Sequence, residues 1–371
     1  MKRSGETMTD SPTLPDIPGY RVYDETVPAS ADGSQEPVII GHPEDINPGD
    51  TQAPALPLLV GCHSWSCPRY QAANNMAADA AEKGWLSVYP EFRGPNLQDN
   101  PRATETGGSI LAQSDIIDAV EHMKTVFSVD DRRIYLLGGS GGGHIATLMA
   151  GKYPDVWAAV SAWVPITSLK EWWEQDNNYR PHVEAVCGGR PGDAADVDFE
   201  YLRRSPRTFI TNAANTPLHI FHGQFDGTID VEQSWQTFRR LSAFEDHRVS
   251  FLSDSRGHCT DFASAVQWLG RHRRDSEPPR RQHLFTDEAK SFFWCHITPA
   301  QPGALAEAQV GIEGSGDEGV INVRSSGADL ITIDLLAAPG HMAGAAGRDV
   351  LEITPGAPTA PFKRVIRMSE I

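Results

Sequence analysis

Between about residue 20 and residue 275 the spacing of apolar residues switches back and forth between two patterns. Short apolar runs stand at Leu56–Val60, Trp85–Tyr89, Ile134–Leu137, Trp157–Ala162, Leu218–Phe221 and Val249–Leu252. A short run without a polar side is buried on both faces, as strands of a parallel sheet are. Longer amphipathic stretches lie between these runs, at Gln71–Lys83, Ile110–Val126, Gly142–Lys152, Val231–Ala243 and Asp261–His272. In the second of them Ile110, Ile117, Val120 and Met123 recur at helical spacing, which leaves Asp115, Asp118, Glu121 and Lys124 for other sides of the helix. This alternation predicts a doubly wound, mostly parallel sheet with crossover helices.

Two stretches break the rhythm. Ser168–Thr216 carries Trp172, Trp173 and Tyr179 among short helical pieces divided by Gly and Pro, and reads as an insertion or cap over the sheet. Its plainer reading is an excursion that covers the core. At 275–281 the run DSEPPRR reads as a linker. Beyond it Phe292–Ile297, Val310–Ile312, Val320–Val323 and Leu330–Leu335 alternate like strands, predicting a small β-rich domain over residues 285–371. Residues 1–19, rich in Pro, Ser, Thr and Asp, predict a flexible leader ahead of a catalytic domain spanning 20–275.

A chain of 371 residues accommodates that division. Its formal charge of −17 sets up a field that repels nucleic acid and anionic membranes, so neither is expected as a partner. The basic run Arg271–Arg274, with Arg280 and Arg281, is short and reads as a solvated helix end and linker. Five scattered cysteines do not form a disulfide framework and are expected as reduced thiols. Cys62 and Cys67 flank His63, but no second pair at ligand spacing answers them, so no metal is expected. The first residues lack an apolar signal core and no later run is long enough to span a bilayer; the expectation is a cytoplasmic protein.

The sharpest chemical signal is the strand Ile134–Leu137 running through Gly138-Gly139-Ser140-Gly141-Gly142 into a helix. A G-x-S-x-G turn this tight needs glycine beside the serine and projects Ser140 from the sheet. A glycine-rich phosphate loop is the rival reading, but the lysine such a loop requires is missing. Serine attacks at neutral pH only when a base takes its proton. The backbone N–H of Gly141, at the helix start, faces any oxyanion that forms. A second signal follows the strand at Leu218, where Phe225-Asp226-Gly227 places Asp226 just past the carboxyl end. Asp230 is the rival carboxylate, read as the cap of the helix that follows. The third is Gly257-His258, in the loop after the last strand. Any one of 13 histidines taken alone is more often a packed or surface residue; the conjunction carries the reading.

Ser140, Asp226 and His258 stand in the order nucleophile, acid, base, each after a predicted strand. With these motifs the chain resembles the α/β-hydrolase superfamily, in particular its prolyl-oligopeptidase-like and dienelactone-hydrolase-like branches, over roughly residues 55–272. That resemblance implies a second oxyanion donor in Gly61-Cys62-His63-Ser64-Trp65, where Ser64 replaces the usual glycine. By position the donor is the N–H of Trp65, with Ser64 second. Tyr89-Pro90-Glu91-Phe92-Arg93-Gly94-Pro95 resembles a supporting turn of the family. Trp163 and Trp172, with Trp173, are expected as an aromatic wall for substrate, with ordinary core as the alternative. The expected activity is hydrolysis of a small-molecule or carbohydrate ester through an acyl-enzyme, without a cofactor. A serine peptidase comes second, since the stretch before Leu56 is far too short for that family's propeller. A binding protein on a catalytically dead hydrolase fold is the third reading.

Overall fold

The computed structural model describes residues 13–50, 52–175, 178–340, 349–355 and 361–370. One eight-stranded sheet is built from β1 (Tyr20–Pro28), β2 (Gln35–Pro43), β3 (Leu56–Cys62), β4 (Leu86–Pro90), β5 (Val129–Gly139), β6 (Ala159–Trp163), β7 (Leu218–Gly223) and β8 (Val249–Asp254). Their spatial order is β1-β2-β4-β3-β5-β6-β7-β8. All pairs from β4 to β8 are parallel, while β1 and β2 form an antiparallel hairpin that adds to β4. The hairpin was not legible in the sequence, because β1 is largely exposed and its polar residues mask the strand period.

The helices are α1 (Arg69–Glu82), α2 (Ile110–Val126), α3 (Gly141–Lys152), α4 (Leu169–Glu174), α5 (Arg180–Cys187), α6 (Ala195–Arg203), α7 (Pro206–Phe209), α8 (Glu232–Ser242) and α9 (Phe262–Leu269). The central strands divide their side chains between the two faces, as strand periodicity requires. Leu58, Val60, Ile134 and Leu136 join a core with Ile116, Val120 and Leu148 of α2 and α3. Leu59, Tyr135 and Leu137 join another with Met76 of α1 and Val266 of α9. Every buried CH₂ on either face adds about 0.8 kcal/mol to the apolar driving force.

One residue of α2 departs from the amphipathic reading. Asp115, expected away from the apolar stripe, is buried and accepts two hydrogen bonds from Arg93, at 2.7 and 2.9 Å. Helices α4 to α7 make the expected excursion over residues 168–216 and close over a cluster of their own around Trp172, Val183 and Tyr201. Of the leader expected over 1–19, residues 1–12 lie outside the described residues. Leu14 and Ile17 pack on the α1 side of the sheet, so the last part of that stretch belongs to the fold.

The tail is a β-sandwich of two four-stranded antiparallel sheets. Its strands are β9 (Arg281–Thr286), β10 (Lys290–Phe292), β11 (Cys295–Pro299), β12 (Ala306–Glu313), β13 (Val320–Ser326), β14 (Ala328–Asp334), β15 (Val350–Ile353) and β16 (Phe362–Arg367). The sheets β10-β11-β14-β15 and β16-β13-β12-β9 enclose Leu284, Val310, Val323, Ile331 and Ile353. The first strand begins at Arg281, inside the stretch read as linker and ahead of the expected start at 285. The run Phe292–Ile297 is broken into a hairpin at Phe293, which has φ +52°. Asp287 enters the hydrolase domain, pairing with Lys152 at the end of α3 and with Arg203 at 2.7 Å.

Candidate active site

Strand β5 runs straight into Ser140, whose φ of +57° and ψ of −120° lie outside the regions that L-residues normally occupy. Such strain persists only where the surroundings hold it. Here Ser140 N–H donates to the Trp163 carbonyl at 2.9 Å, and the Ser140 carbonyl accepts from His144 N at 2.9 Å. A Cβ on Gly138 would stand 2.1 Å from the Gly142 carbonyl oxygen, so the turn closes only with glycine there. A Cβ on Gly141 would lie 2.2 Å from the backbone nitrogen of Trp65. The loop after β3 therefore rests directly on the start of α3.

That contact sets two amides side by side. Gly141 opens α3, where an N–H has no acceptor within the helix. Trp65 N–H also finds none among the described residues. Ser64 N–H, the other candidate, is taken by Gln71 Oε1 at 3.0 Å. Strands β3 and β5 are neighbours, and the chain leaves β3 in one direction for β4 and returns past it to β5. The pair of amides thus stands at the point where strand order reverses, the usual ligand crevice of an open α/β sheet.

Asp226 and His258 lie on the same carboxyl edge, past β7 and β8. His258 Nδ1 and Asp226 Oδ2 are 2.7 Å apart. The other oxygen, Oδ1, accepts the N–H of Thr228 at 2.8 Å and of Ile229 at 3.0 Å. Burial alone would raise the Asp226 carboxyl. The His222 and His258 rings and the two backbone donors outweigh it, holding the group well below the usual carboxylate range. The His258 ring is partly exposed, and its loop reaches the serine through Thr260, whose methyl lies 2.4 Å from where a Gly139 Cβ would be. Among the described residues Ser140 Oγ makes no hydrogen bond to His258; such bonds often tighten only with substrate present. Asp230 Oδ1 accepts Glu232 N at 2.9 Å just ahead of α8, but the N-cap position itself is Val231, one residue later than the cap expected at Asp230.

One support escaped the sequence reading of the site. His222, fully buried at the end of β7, sets Nε2 3.3 Å from Asp226 Oδ2 and 3.0 Å from the Ile229 carbonyl. Its Nδ1 lies 2.7 Å from Ser234 Oγ. Only its place beside the glycine that ends the strand could have marked it. On the other flank His63 stacks on Phe92 at 3.9 Å, and Phe92 and Arg93 both have positive φ. Arg93 fixes that turn through ion pairs to Asp32, Glu36, Glu105 and Asp115.

The aromatic wall is a correction. Trp163 is 3% exposed, lies 4.4 Å from Phe221 and donates to Ser161 Oγ; as the last residue of a strand buried on both faces it is core. Trp172 is buried between Trp65 and Tyr179, each 4.9 Å away, and donates to the Thr228 carbonyl. It braces both loops of the site but offers a substrate no open face. Trp173 donates to Glu184 and carries the Arg180 guanidinium on its ring. An exposed aromatic does stand beside the site: Phe225, 74% accessible and next to Asp226.

A mostly parallel sheet, covered by helices on both faces and carrying a strained serine at its switch point, defines an α/β-hydrolase. The chain belongs to the prolyl oligopeptidase family of serine hydrolases, whose model matches residues 80–273. It is 26% identical over 175 residues to the acylamino-acid-releasing enzyme of Rattus norvegicus, covering 43% of this chain and 23% of that one. It is also 26% identical over 111 residues to feruloyl esterase B of Talaromyces funiculosus, covering 28% of this chain and 31% of that one. The chain thus spans less than a third of either curated relative. A putative dipeptidyl aminopeptidase IV from Bacteroides ovatus superposes with a TM-score of 0.54 at 16% identity, over 68% of this chain and 35% of that chain.

Proposed function

We propose that the protein hydrolyses a carboxylic ester through an acyl-enzyme formed on Ser140. The observation that carries this reading is the strained Ser140 turn on the same sheet edge as the Asp226–His258 pair at 2.7 Å. Ser140 Oγ attacks the ester carbonyl while His258 Nε2 takes its proton, and Asp226 holds Nδ1–H and stabilises the imidazolium. The carbonyl oxygen, now an anion, lies between the N–H groups of Gly141 and Trp65. When the tetrahedral species collapses, the alkoxide leaves with the proton from His258. Water then repeats the sequence on the acyl-serine and frees the acid. Phe225 offers an apolar face at the rim for an aryl or acyl group. Likeness to feruloyl esterase B supports an ester; likeness to the acylamino-acid-releasing enzyme favours a second reading, release of an acylated amino acid. A fluorophosphonate probe should label Ser140, and p-nitrophenyl and feruloyl esters should turn over faster than acyl-peptides. A panel in which only peptides were cleaved would overturn the ester, and a folded protein that did not label would overturn the triad.

A further inference from the structure

The outer face of β16-β13-β12-β9 is not bare: it turns toward the hydrolase domain across a groove of about 710 Å³. Strand register sets its floor. Lys363, Arg324, Gln309 and His283 stand directly opposite one another across the four strands. The next row on the same face is Val365, Asn322, Gly311 and Arg281. Each row is about 14 Å wide at the ordinary strand spacing. Gly311 leaves the middle open, since a Cβ there would meet only the Arg281 side chain, at 3.7 Å. The opposite wall comes from 211–215 and 243–246, just ahead of β7 and after α8. The groove therefore lies at the amino end of β7, about 20 Å, the length of that strand, from the edge that carries Asp226.

Its cations are unspent. In a chain of net charge −17, Arg281, Arg324 and Lys363 gather on one face of the groove. None of these side chains has an ion pair or hydrogen bond among the described residues. Thr211 also lines the groove and is buried, yet its Oγ1 lacks a partner. Buried polar groups are ordinarily paired, so an unpaired hydroxyl beside free cations marks a place for a ligand that supplies hydrogen bonds and negative charge.

We infer that this groove binds an acidic oligosaccharide, a chain of hydroxyl-rich rings with spaced carboxylates. The cations match the carboxylates, and the amides of Gln309 and Asn322 match the hydroxyls. Glu245, Asp246 and Glu313 on the rim accept from hydroxyls and repel the dense charge of a polyphosphate. Phe244, 5.7 Å from the His283 ring, gives an apolar end against which a sugar ring packs. A peptide gains its main-chain bonds at a sheet edge, and this groove lies over a sheet face. The inference is independent of the ester reading.

Calorimetric titration of the full chain with tetragalacturonate at low salt tests it. The wild type should bind. Arg324→Gln with Lys363→Gln should weaken binding by roughly tenfold or more for each cation lost, since a charge-assisted hydrogen bond is worth about that factor. Melting and fluorophosphonate labelling should stay as in the wild type. If the double variant melted lower, Arg281→Gln reads the same groove from another strand. Absence of binding, binding unchanged in the variants, or equal binding of polyglutamate would overturn the inference.

Discussion

Asp287→Ala tests the joint between the two domains. Asp287 and Lys152 are both fully buried, and the Lys152 ammonium lies 4.0 Å from the centre of the Phe209 ring. Burial pushes the Asp287 carboxyl up, but the Lys152 and Arg203 cations outweigh it and hold the group ionised. Removing the carboxylate leaves the ammonium in an apolar site. Loss of one partner of a buried pair costs about 3–5 kcal/mol, a large fraction of a typical domain's stability. Lys152→Met with Asp287→Leu removes both charges and should regain most of that loss, because apolar replacement of a buried pair is often neutral or better. Arg203 is left partly exposed, with Glu200 at 3.3 Å, and needs no rescue. Urea unfolding followed by tryptophan fluorescence should show the loss in Asp287→Ala and its recovery in the double variant. Fluorophosphonate labelling of the folded fraction should persist in both. An Asp287→Ala midpoint equal to that of the wild type, or a double variant as unstable as the single, would refute the reasoning.

Three further outcomes follow from the site. Asp226→Asn should keep its fold and lose activity by ~10⁴-fold, as in the triad template, while Asp230→Asn should do far less; esterase rates beside melting curves decide, and the reverse ranking would mean the wrong carboxylate. Phe225→Ala should raise KM for aryl esters several-fold with kcat little changed; equal kinetics on aryl and acetyl esters would remove Phe225 from the substrate. Burial lowers His144 and His219 to about 4 each, so the unfolded chain binds more protons below about pH 6.5. The stability these neutral rings lend is complete above pH 6.5 and falls as pH drops toward 4. The urea midpoint should therefore decline from pH 6.5 to 5, the two rings outweighing the opposite effect of the one Asp115 carboxyl, which burial raises to about 6, and a flat profile there would contradict it.

The sequence exposed those parts of the fold whose burial is uniform. Strands β3 to β7 sit under helices, and their apolar runs needed no tertiary knowledge to find; the run at Val249–Leu252, read as buried on both faces, is instead the edge strand β8, with Leu252 59% exposed. Asp115 did, because its partner Arg93 lies on a separate turn and only the folded chain brings them together. Ser140 was legible because the glycines around it answer a local steric demand. The candidate for a second oxyanion donor was less so: Ser64 and Trp65 separate only when Gln71, from α1, takes the Ser64 amide. Trp163 looked equally suited to core and to substrate until its neighbours Phe221 and Ser161 closed around it.

The Arg93 guanidinium gathers carboxylates from the β1–β2 turn, from β2, from residue 105 and from α2, segments far apart in the chain. No local stretch can satisfy it, so the turn that seats Phe92 against His63 is ordered only after those segments have met. Contacts of such long sequence separation are costly to close and form late. The loop that brings Trp65 to the serine thus inherits its order from the completed sheet. In hydrogen exchange, the amides around Phe92 and those of the β1–β2 hairpin should open as one cooperative unit, earlier than the central strands.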